Sequence, residues 1–230
     1  MNLTTLLKLK ASSPEKILRR LIEQVRLEQA KEKPNLPHIA IGLHGGAVFS
    51  GFLLDYNLEN EEILLGIFYD GKPQLTFCNC RNVLSVELQN GTDWLYALSD
   101  GALAFNPSAA DAPPSLELKR IISSTVTELS TAVGHDIQLT FDLSEVKELM
   151  QQYTAKLLLT TVAEVIAKIV DNALGKEALQ ESVSQIQLKL GEEKKVELLD
   201  KVLTIECKIE NGPRLAWKHA ELQEAIEEKL

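Results

Sequence analysis

The chain has 230 residues, 45% of them hydrophobic and 25% charged, with a formal net charge of -9. This composition is typical of a globular protein, and the length suits one large domain or two small ones. The longest apolar runs are interrupted well before the ~20 residues that cross a bilayer, so we expect no membrane contact.

Charge is unevenly distributed along the chain. Residues 1–36 hold eight Lys or Arg against four Glu, a net of +4, whereas residues 37–90 hold two against six acids, a net of -4. A protein that binds nucleic acid mainly through phosphates needs a basic face, and only the first segment is basic. The three cysteines form no disulfide framework, and no secretory signal pattern precedes them, so we expect a reducing, cytoplasmic setting.

The first predicted element is an amphipathic helix that begins near residue 14. Ser12 or Ser13 is suited to cap it, and Pro14 and Glu15 fit its first turn. Pro34 is expected to end it. Apolar residues recur at helical spacing, namely Ile17, Leu18, Leu21, Ile22 and Val25.

The opposite face of this helix carries a basic row, Arg19, Arg20 and Arg26. Two interpretations are open. The row could contact RNA, or it could consist of ordinary surface charges beside Glu15 and Glu23. We favour the second interpretation.

From residue 38 the hydrophobic period changes to two, which is typical of β-strands. Gly45-Gly46 supplies a first turn, Ser50-Gly51 marks a sharp bend, and Asp70-Gly71 is a hairpin signal because both central positions need positive φ. Five short antiparallel strands after a helix predict a small SH3-like barrel. The strands are expected near residues 38–44, 47–56, 62–69, 74–80 and 83–89.

Six residues between positions 41 and 53 carry a family resemblance. They follow the pattern I-x-L-x-x-G-x-x-F-x-G-x-L and are Ile41, Leu43, Gly46, Phe49, Gly51 and Leu53. With the hairpin order downstream, residues 37–89 resemble the Sm and Sm-like (Hfq-related) proteins. An unrelated SH3-like barrel is the alternative, because any small barrel needs glycines at bends and alternating apolar residues.

The resemblance implies a barrel that forms rings, with its fourth and fifth strands pairing with neighbouring copies. It also implies RNA contacts at Asn57, which stands at the family's usual aspartate position, and at Asn60. In the second motif Asn79 stands at the usual arginine position, and Arg81 is close by. Arg19 and Arg20 of the N-terminal helix complete the candidate RNA-binding residues.

The sequence predicts two domains with a linker between them. Residues 106–115, which include three prolines and three alanines, form the predicted linker. Residues 1–105 then hold the helix and the barrel, and residues 116–230 a separate α+β domain with a long central helix and a small antiparallel sheet.

Helix and strand alternate in the predicted second domain. Ser115 is suited to cap a helix that stops at Gly134. Ser144 is suited to cap the long central helix, which would end at Gly175. The strands are expected near residues 137–143, 183–190 and 202–209, before a final charged helix.

No motif points to catalysis, a metal or a cofactor. Cys78 and Cys80 share one face of a strand, but a metal site needs further ligands with suitable spacing, so we interpret both as core residues. The glycine-rich residues 45–51 lack the Lys-Ser/Thr ending of a P-loop. The four histidines are scattered along the chain. We therefore predict no catalytic residue, no metal site and no cofactor.

Three hypotheses of function follow from these patterns. The first is a non-catalytic, homo-oligomeric assembly module built on an Sm-like ring, whose C-terminal domain recognises a protein partner. The alternative is a protein that binds single-stranded RNA at the pore or rim of the ring. An enzyme in the C-terminal half has the least support, because no set of polar residues there suggests a reaction.

Overall fold

The computed structural model divides the chain into two compact units, residues 1–105 and 106–230. In the described part of the chain, no helix is long and apolar enough to cross a membrane. The structure describes residues 6–29, 34–108, 111–144 and 146–230.

The first unit begins with helix α1, Pro14–Glu28. Ser13 is its N-cap and accepts a hydrogen bond from the Lys16 backbone nitrogen at 3.4 Å, as the sequence predicted. Four residues of its apolar stripe, Leu18, Leu21, Ile22 and Val25, are fully buried, Ile17 is partly buried, and the stripe packs against the sheet that follows. Residues 30–33 of the predicted helix end lie outside the described residues.

The five predicted strands are present as one antiparallel sheet with the order β4-β3-β2-β1-β5. Each lies within two residues of its expected position. Their bounds are β1 His38–Leu43, β2 Val48–Asn57, β3 Glu62–Tyr69, β4 Lys72–Asn79 and β5 Val83–Leu88.

This sheet is not a closed barrel, and the prediction of a barrel needs correction on that point. Among the described residues β4 pairs only with β3, and β5 pairs only with β1. A 3-10 turn, Cys80–Asn82, carries the chain from β4 across to β1, so β4 and β5 become opposite edges of the sheet. The fold class is therefore α+β with an open five-stranded sheet.

The core of the first unit lies between α1 and one face of the sheet, which we call the inner face. The side chains there are fully buried or nearly so, and they include Leu21, Ile22, Ile41, Tyr56 and Leu65. Successive residues of a strand alternate between the two faces of a sheet. The strand residues next to Ile41, Tyr56 and Leu65 therefore lie on the opposite face, which we call the outer face.

Two glycines are required where this sheet bends and packs closely. A Cβ on Gly51 would lie 2.9 Å from the Ile67 side chain and 3.0 Å from the Gly66 carbonyl oxygen. A Cβ on Gly66 would lie 2.6 Å from the Leu54 side chain. The predicted bend at Gly51 is thus a point of close approach between β2 and β3.

The second unit contains four helices and four strands in the described part of the chain. Two short helical segments, Gly91–Trp94 and α2 (Leu95–Leu98), precede it. Its elements are α3 Ser115–Val133, β6 Gln138–Phe141, α4 Leu149–Val170, α5 Ala173–Ser182, β7 Gln185–Gly191, β8 Lys195–Leu199, β9 Val202–Lys208 and α6 His219–Glu227.

The second sheet is mixed, so the prediction of an antiparallel sheet was wrong. Its order is β6-β7-β9-β8, with β6 and β9 parallel to β7 and only β8 antiparallel to β9. The helices α4 and α5 form the crossover between β6 and β7, and a helical crossover joins parallel strands. The sequence did not predict strand β8. This strand lies between β7 and β9 along the chain and returns it to the other end of the sheet, so that β7 and β9 run parallel.

The predicted central helix is present as α4, but it ends earlier than expected. It breaks at Asp171, and Asn172 caps α5 by accepting a hydrogen bond from the Leu174 backbone nitrogen at 3.1 Å. Gly175 therefore lies inside α5 rather than at a helix end. A Cβ there would lie 2.5 Å from the Ile169 carbonyl oxygen, so glycine allows α5 to approach the end of α4.

The core of the second unit surrounds α4. Residues on much of the circumference of this helix are buried, as the sequence predicted, and they pack against one face of the mixed sheet. Ala112, in the predicted linker, is also buried.

Candidate functional site

Four of the predicted RNA-binding residues lie together in the structure. Asn57 pairs with Glu62 across β2 and β3, and Glu62 pairs with Asn79 across β3 and β4. This register brings the loop after β2 next to the turn after β4. We call Asn57, Asn60, Glu61, Asn79 and Arg81 the loop cluster.

Asparagine side chains fix the backbone of the loop cluster. The Asn57 Oδ1 accepts hydrogen bonds from the backbone nitrogens of Glu59 (2.9 Å) and Asn60 (3.1 Å). The Asn79 Nδ2 donates to the Asn60 carbonyl oxygen at 3.3 Å, and the Asn79 Oδ1 accepts from the Arg81 backbone nitrogen at 2.9 Å. Asparagine commonly stabilises turns in this way, so these residues have a structural role.

An ion pair also links the two segments. The Arg81 Nε donates to the Glu61 Oε2 at 2.6 Å, and this hydrogen bond raises the pKa of Arg81 above its ordinary value. The Cys80 backbone nitrogen donates to the Glu61 carbonyl oxygen at 2.7 Å. The Arg81 side chain is nevertheless mostly exposed, so it remains accessible to a ligand.

Tyr56 and Cys80 lie buried beneath the loop cluster. Burial, with the neighbouring Cys80, raises the pKa of Tyr56 to about 12, and burial also raises the pKa of Cys80. A thiol with a raised pKa is a poor nucleophile and a poor metal ligand at neutral pH. Cys80 is a core residue, and Cys78 is half-buried beside it with its pKa raised by the same cause.

The two arginines of α1 have different surroundings. Arg19 forms an exposed ion pair with Glu15 at 2.8 Å. Arg20 instead binds residues of its own unit. It donates to Ser12 Oγ at 3.0 Å and to the Leu98 carbonyl oxygen at 3.2 Å, and it pairs with Asp100.

Acidic groups outnumber basic ones around the loop cluster. Glu59, Glu61 and Glu62 lie in or beside it, and its one arginine is paired with Glu61. Across all five strands of the first sheet, Lys72 is the only Lys or Arg. The electrostatic attraction of this region for phosphate groups is therefore weak.

The sequence did not reveal a second feature, an apolar strip on the outer face of the first sheet. Strand register places Phe52 beside Gly66 and Leu75, Leu64 beside Phe77, and Phe68 beside Pro73. We call four exposed apolar residues of this face the outer strip, namely Phe52, Phe68, Leu75 and Phe77. The available signal was the run from Ile63 to Phe68, which is apolar at consecutive positions rather than at alternate ones.

The edges of the first sheet are exposed together with the outer strip. Leu75 and Phe77 lie on edge strand β4, and Leu84, on edge strand β5, is also exposed. An unpaired strand offers backbone N–H and C=O groups to another strand. The exposed apolar residues therefore lie on or beside strands that have unused pairing capacity.

In the described part of the chain, no group of three or more His, Cys, Asp or Glu side chains could hold a metal ion. His219 pairs with Glu164 at 2.6 Å on the surface, and Lys194 lies over the Trp217 ring at 5.1 Å. Burial raises the pKa of Cys207 to about 11, so this thiol is unreactive at neutral pH.

Comparison with protein-family models gives no match for this chain, and comparison with curated proteins gives none either.

Proposed function

We propose that this protein is a non-catalytic assembly module whose copies join through the edges of the first sheet. Strand β4 of one copy pairs with β5 of the next, and repetition of this contact closes a ring of Sm-like subunits. The observation that carries the proposal is the exposure of apolar residues on a sheet whose two edges are unpaired.

Edge pairing suits this sheet because its two free edges belong to different strands. A contact between β4 and β5 is heterologous, and a heterologous contact forms either a closed ring or an open filament. A strongly bent sheet favours a closed ring over a filament, because each subunit is rotated relative to the one before it. Closure also leaves no edge strand without a partner.

The charges around the sheet favour a protein neighbour over a nucleic acid. Acidic residues predominate near the loop cluster, and the exposed surface beside it is apolar. Burial of apolar surface drives most protein association, whereas nucleic-acid binding depends on neutralising phosphates.

We assign recognition of a protein partner to the second unit. Parallel strands are usually covered on both faces, but the face of its sheet opposite the core carries exposed or half-buried polar residues. There the Gln185 Nε2 donates to Thr140 Oγ1 at 3.2 Å, and Thr204 Oγ1 donates to Gln187 Oε1 at 3.5 Å. These polar groups suit hydrogen bonding to a partner.

Light scattering with native mass spectrometry tests the assembly. The wild-type chain should form a species of several subunits, and Phe77→Lys should weaken association by about 100-fold, because a lysine replaces an exposed aromatic side chain of edge strand β4 that the paired strand of the neighbouring copy covers. The matched control is Leu199→Lys in the second sheet, since the two positions are 73% and 72% exposed. A wild-type monomer at high concentration would contradict the proposal.

RNA binding at the loop cluster is a second candidate, favoured by one observation. Residues of two separate segments, Asn57 and Asn60 in one and Asn79 and Arg81 in the other, lie together. Single-stranded RNA rich in uridine or adenine should then bind at low salt and dissociate as salt rises. Arg81→Ala should weaken that binding, and Arg20→Ala is the matched control because Arg20 is engaged within its own unit. An electrophoretic shift that stays blank at low salt removes this candidate.

A further inference from the structure

Edge pairing alone covers only the side chains of edge strand β4, such as Phe77, and leaves the rest of the outer strip uncovered. Its residues lie on the face of the sheet, whereas pairing between β4 and β5 uses the edge of the backbone. At about 200 Å² for an aromatic side chain, the exposed parts of the four residues amount to on the order of 500 Å². Patches of this size on single subunits are commonly interaction surfaces.

The outer strip is bordered by acids. Asp55 lies in register with Leu64 and Phe77, and Glu62 follows one row further along the same face. Both carboxylates are exposed. A segment that covers the strip should therefore combine apolar side chains with positive charge.

The chain contains such a segment before α1. Residues 6–10 are Leu6, Leu7, Lys8, Leu9 and Lys10, which we call the N-terminal arm. The arm forms a single turn in which the Leu9 backbone nitrogen donates to the Leu6 carbonyl oxygen at 3.0 Å. Leu7 is 75% exposed, and Phe68 and Phe77 are 79% and 73% exposed, so within one copy these side chains of the arm and of the outer strip remain open to solvent.

We infer that the N-terminal arm of one copy binds the outer strip of a neighbouring copy. The leucines bury apolar surface against Phe68, Leu75 and Phe77, and the lysines reach Asp55 and Glu62 at the border, since a lysine can keep its charged end in water while its stem packs. The inference rests on the proposed assembly, because it needs a neighbour held at the sheet edge. A stable interface buries about 800 Å² on each partner, which strip and edge supply together more readily than either alone.

Cross-linking between two differently tagged full-length variants tests the contact. Both carry Cys78→Ser, one adds Leu7→Cys and the other Phe68→Cys, and a short bismaleimide is added after subunits have exchanged. The control replaces Phe68→Cys with Leu174→Cys, since Leu174 is 74% exposed in the second unit. The mixed covalent dimer should form at least about tenfold more from the Leu7 and Phe68 pair, because yield follows local concentration.

Charge reversal tests the role of the lysines. Lys8→Glu with Lys10→Glu should lower the yield about fivefold, and adding Asp55→Lys with Glu62→Lys on the partner preparation should restore it. Failure of the second pair to restore the yield overturns the predicted charge complementarity.

Native mass spectrometry of the same mixtures separates failure of the inference from failure of the proposed function. If mixed assemblies form but the yield matches the control, the arm does not bind the strip, and the assembly through β4 and β5 still stands. If no mixed assembly forms at all, both fail.

Discussion

The edge strands of the two sheets differ in length, in charge and in exposed apolar side chains. In the second sheet, edge strand β8 carries Lys195 and Glu197 as an outward ion pair at 2.7 Å, and edge strand β6 has only four residues. Charged side chains and short length both discourage pairing with another chain. In the first sheet, edge strand β4 has eight residues and exposes Leu75 and Phe77. One sheet has protected edges, and the other has edges suited to pairing.

The two faces of the first sheet should respond differently to truncation. Leu65, on the inner face of β3, is fully packed, so Leu65→Ala should lower the free energy of unfolding of the first unit by about 2–5 kcal/mol. Leu75→Ala, on the outer face, should leave the free energy of unfolding of the isolated copy nearly unchanged and weaken association instead. Urea unfolding at low protein concentration measures the first quantity. Equal losses in the two variants would show that both faces are buried in a single copy.

Removing the charges of β8 should make the second sheet resemble the first. The double variant Lys195→Val with Glu197→Val should associate through β8 roughly fivefold more strongly than the wild type. Pairing at this edge would then no longer remove two charged side chains from water. Sedimentation of these variants in a Phe77→Lys background isolates the effect. No change in association would mean that the charges do not protect this edge.

Burial of the inner face should also appear in the pH dependence of stability. Burial raises the pKa of Tyr56 in the folded state to about 12 from its ordinary value of 10.0, so the folded state keeps a proton that the unfolded state releases. This contribution is fully present below pH 10.0 and is lost as pH rises through about 12. Tyr56→Phe should remove this part of the decrease in the free energy of unfolding at high pH. Urea unfolding at several pH values, about one unit apart between roughly pH 9 and 11, measures the difference. An unchanged loss would place the proton release elsewhere.

Local signals predicted the strands and the hairpin of the first unit, although the predicted barrel is not closed. Asp70 and Gly71 have φ of 48° and 72°, so the hairpin is formed by the two residues that the sequence marked. The hairpin between β8 and β9 was invisible because its turn uses Asp200 and Lys201 at φ of 49° and 64°, without a glycine. The break between α4 and α5 likewise lacks a glycine or proline at Asp171 and Asn172. Parallel pairing depends on contacts between distant segments, which periodicity does not encode.

The candidate site was predicted in part. Asn57, Asn60, Asn79 and Arg81 lie together because they flank strands whose order the hairpin signals already implied. Arg20 could not be distinguished from Arg19 in sequence, since only the tertiary fold brings Asp100 to it. The alternation of apolar residues did not predict the outer strip, because β3 carries apolar side chains on both of its faces.

Hydrogen exchange at low and high protein concentration tests the assembly most directly. Backbone amides of β4 and β5 that point away from their own sheet should exchange quickly at low concentration and become protected as concentration rises, while those at the edge of β8 stay unchanged. Exchange in β4 and β5 that is independent of concentration, with no species larger than one copy, would contradict the account.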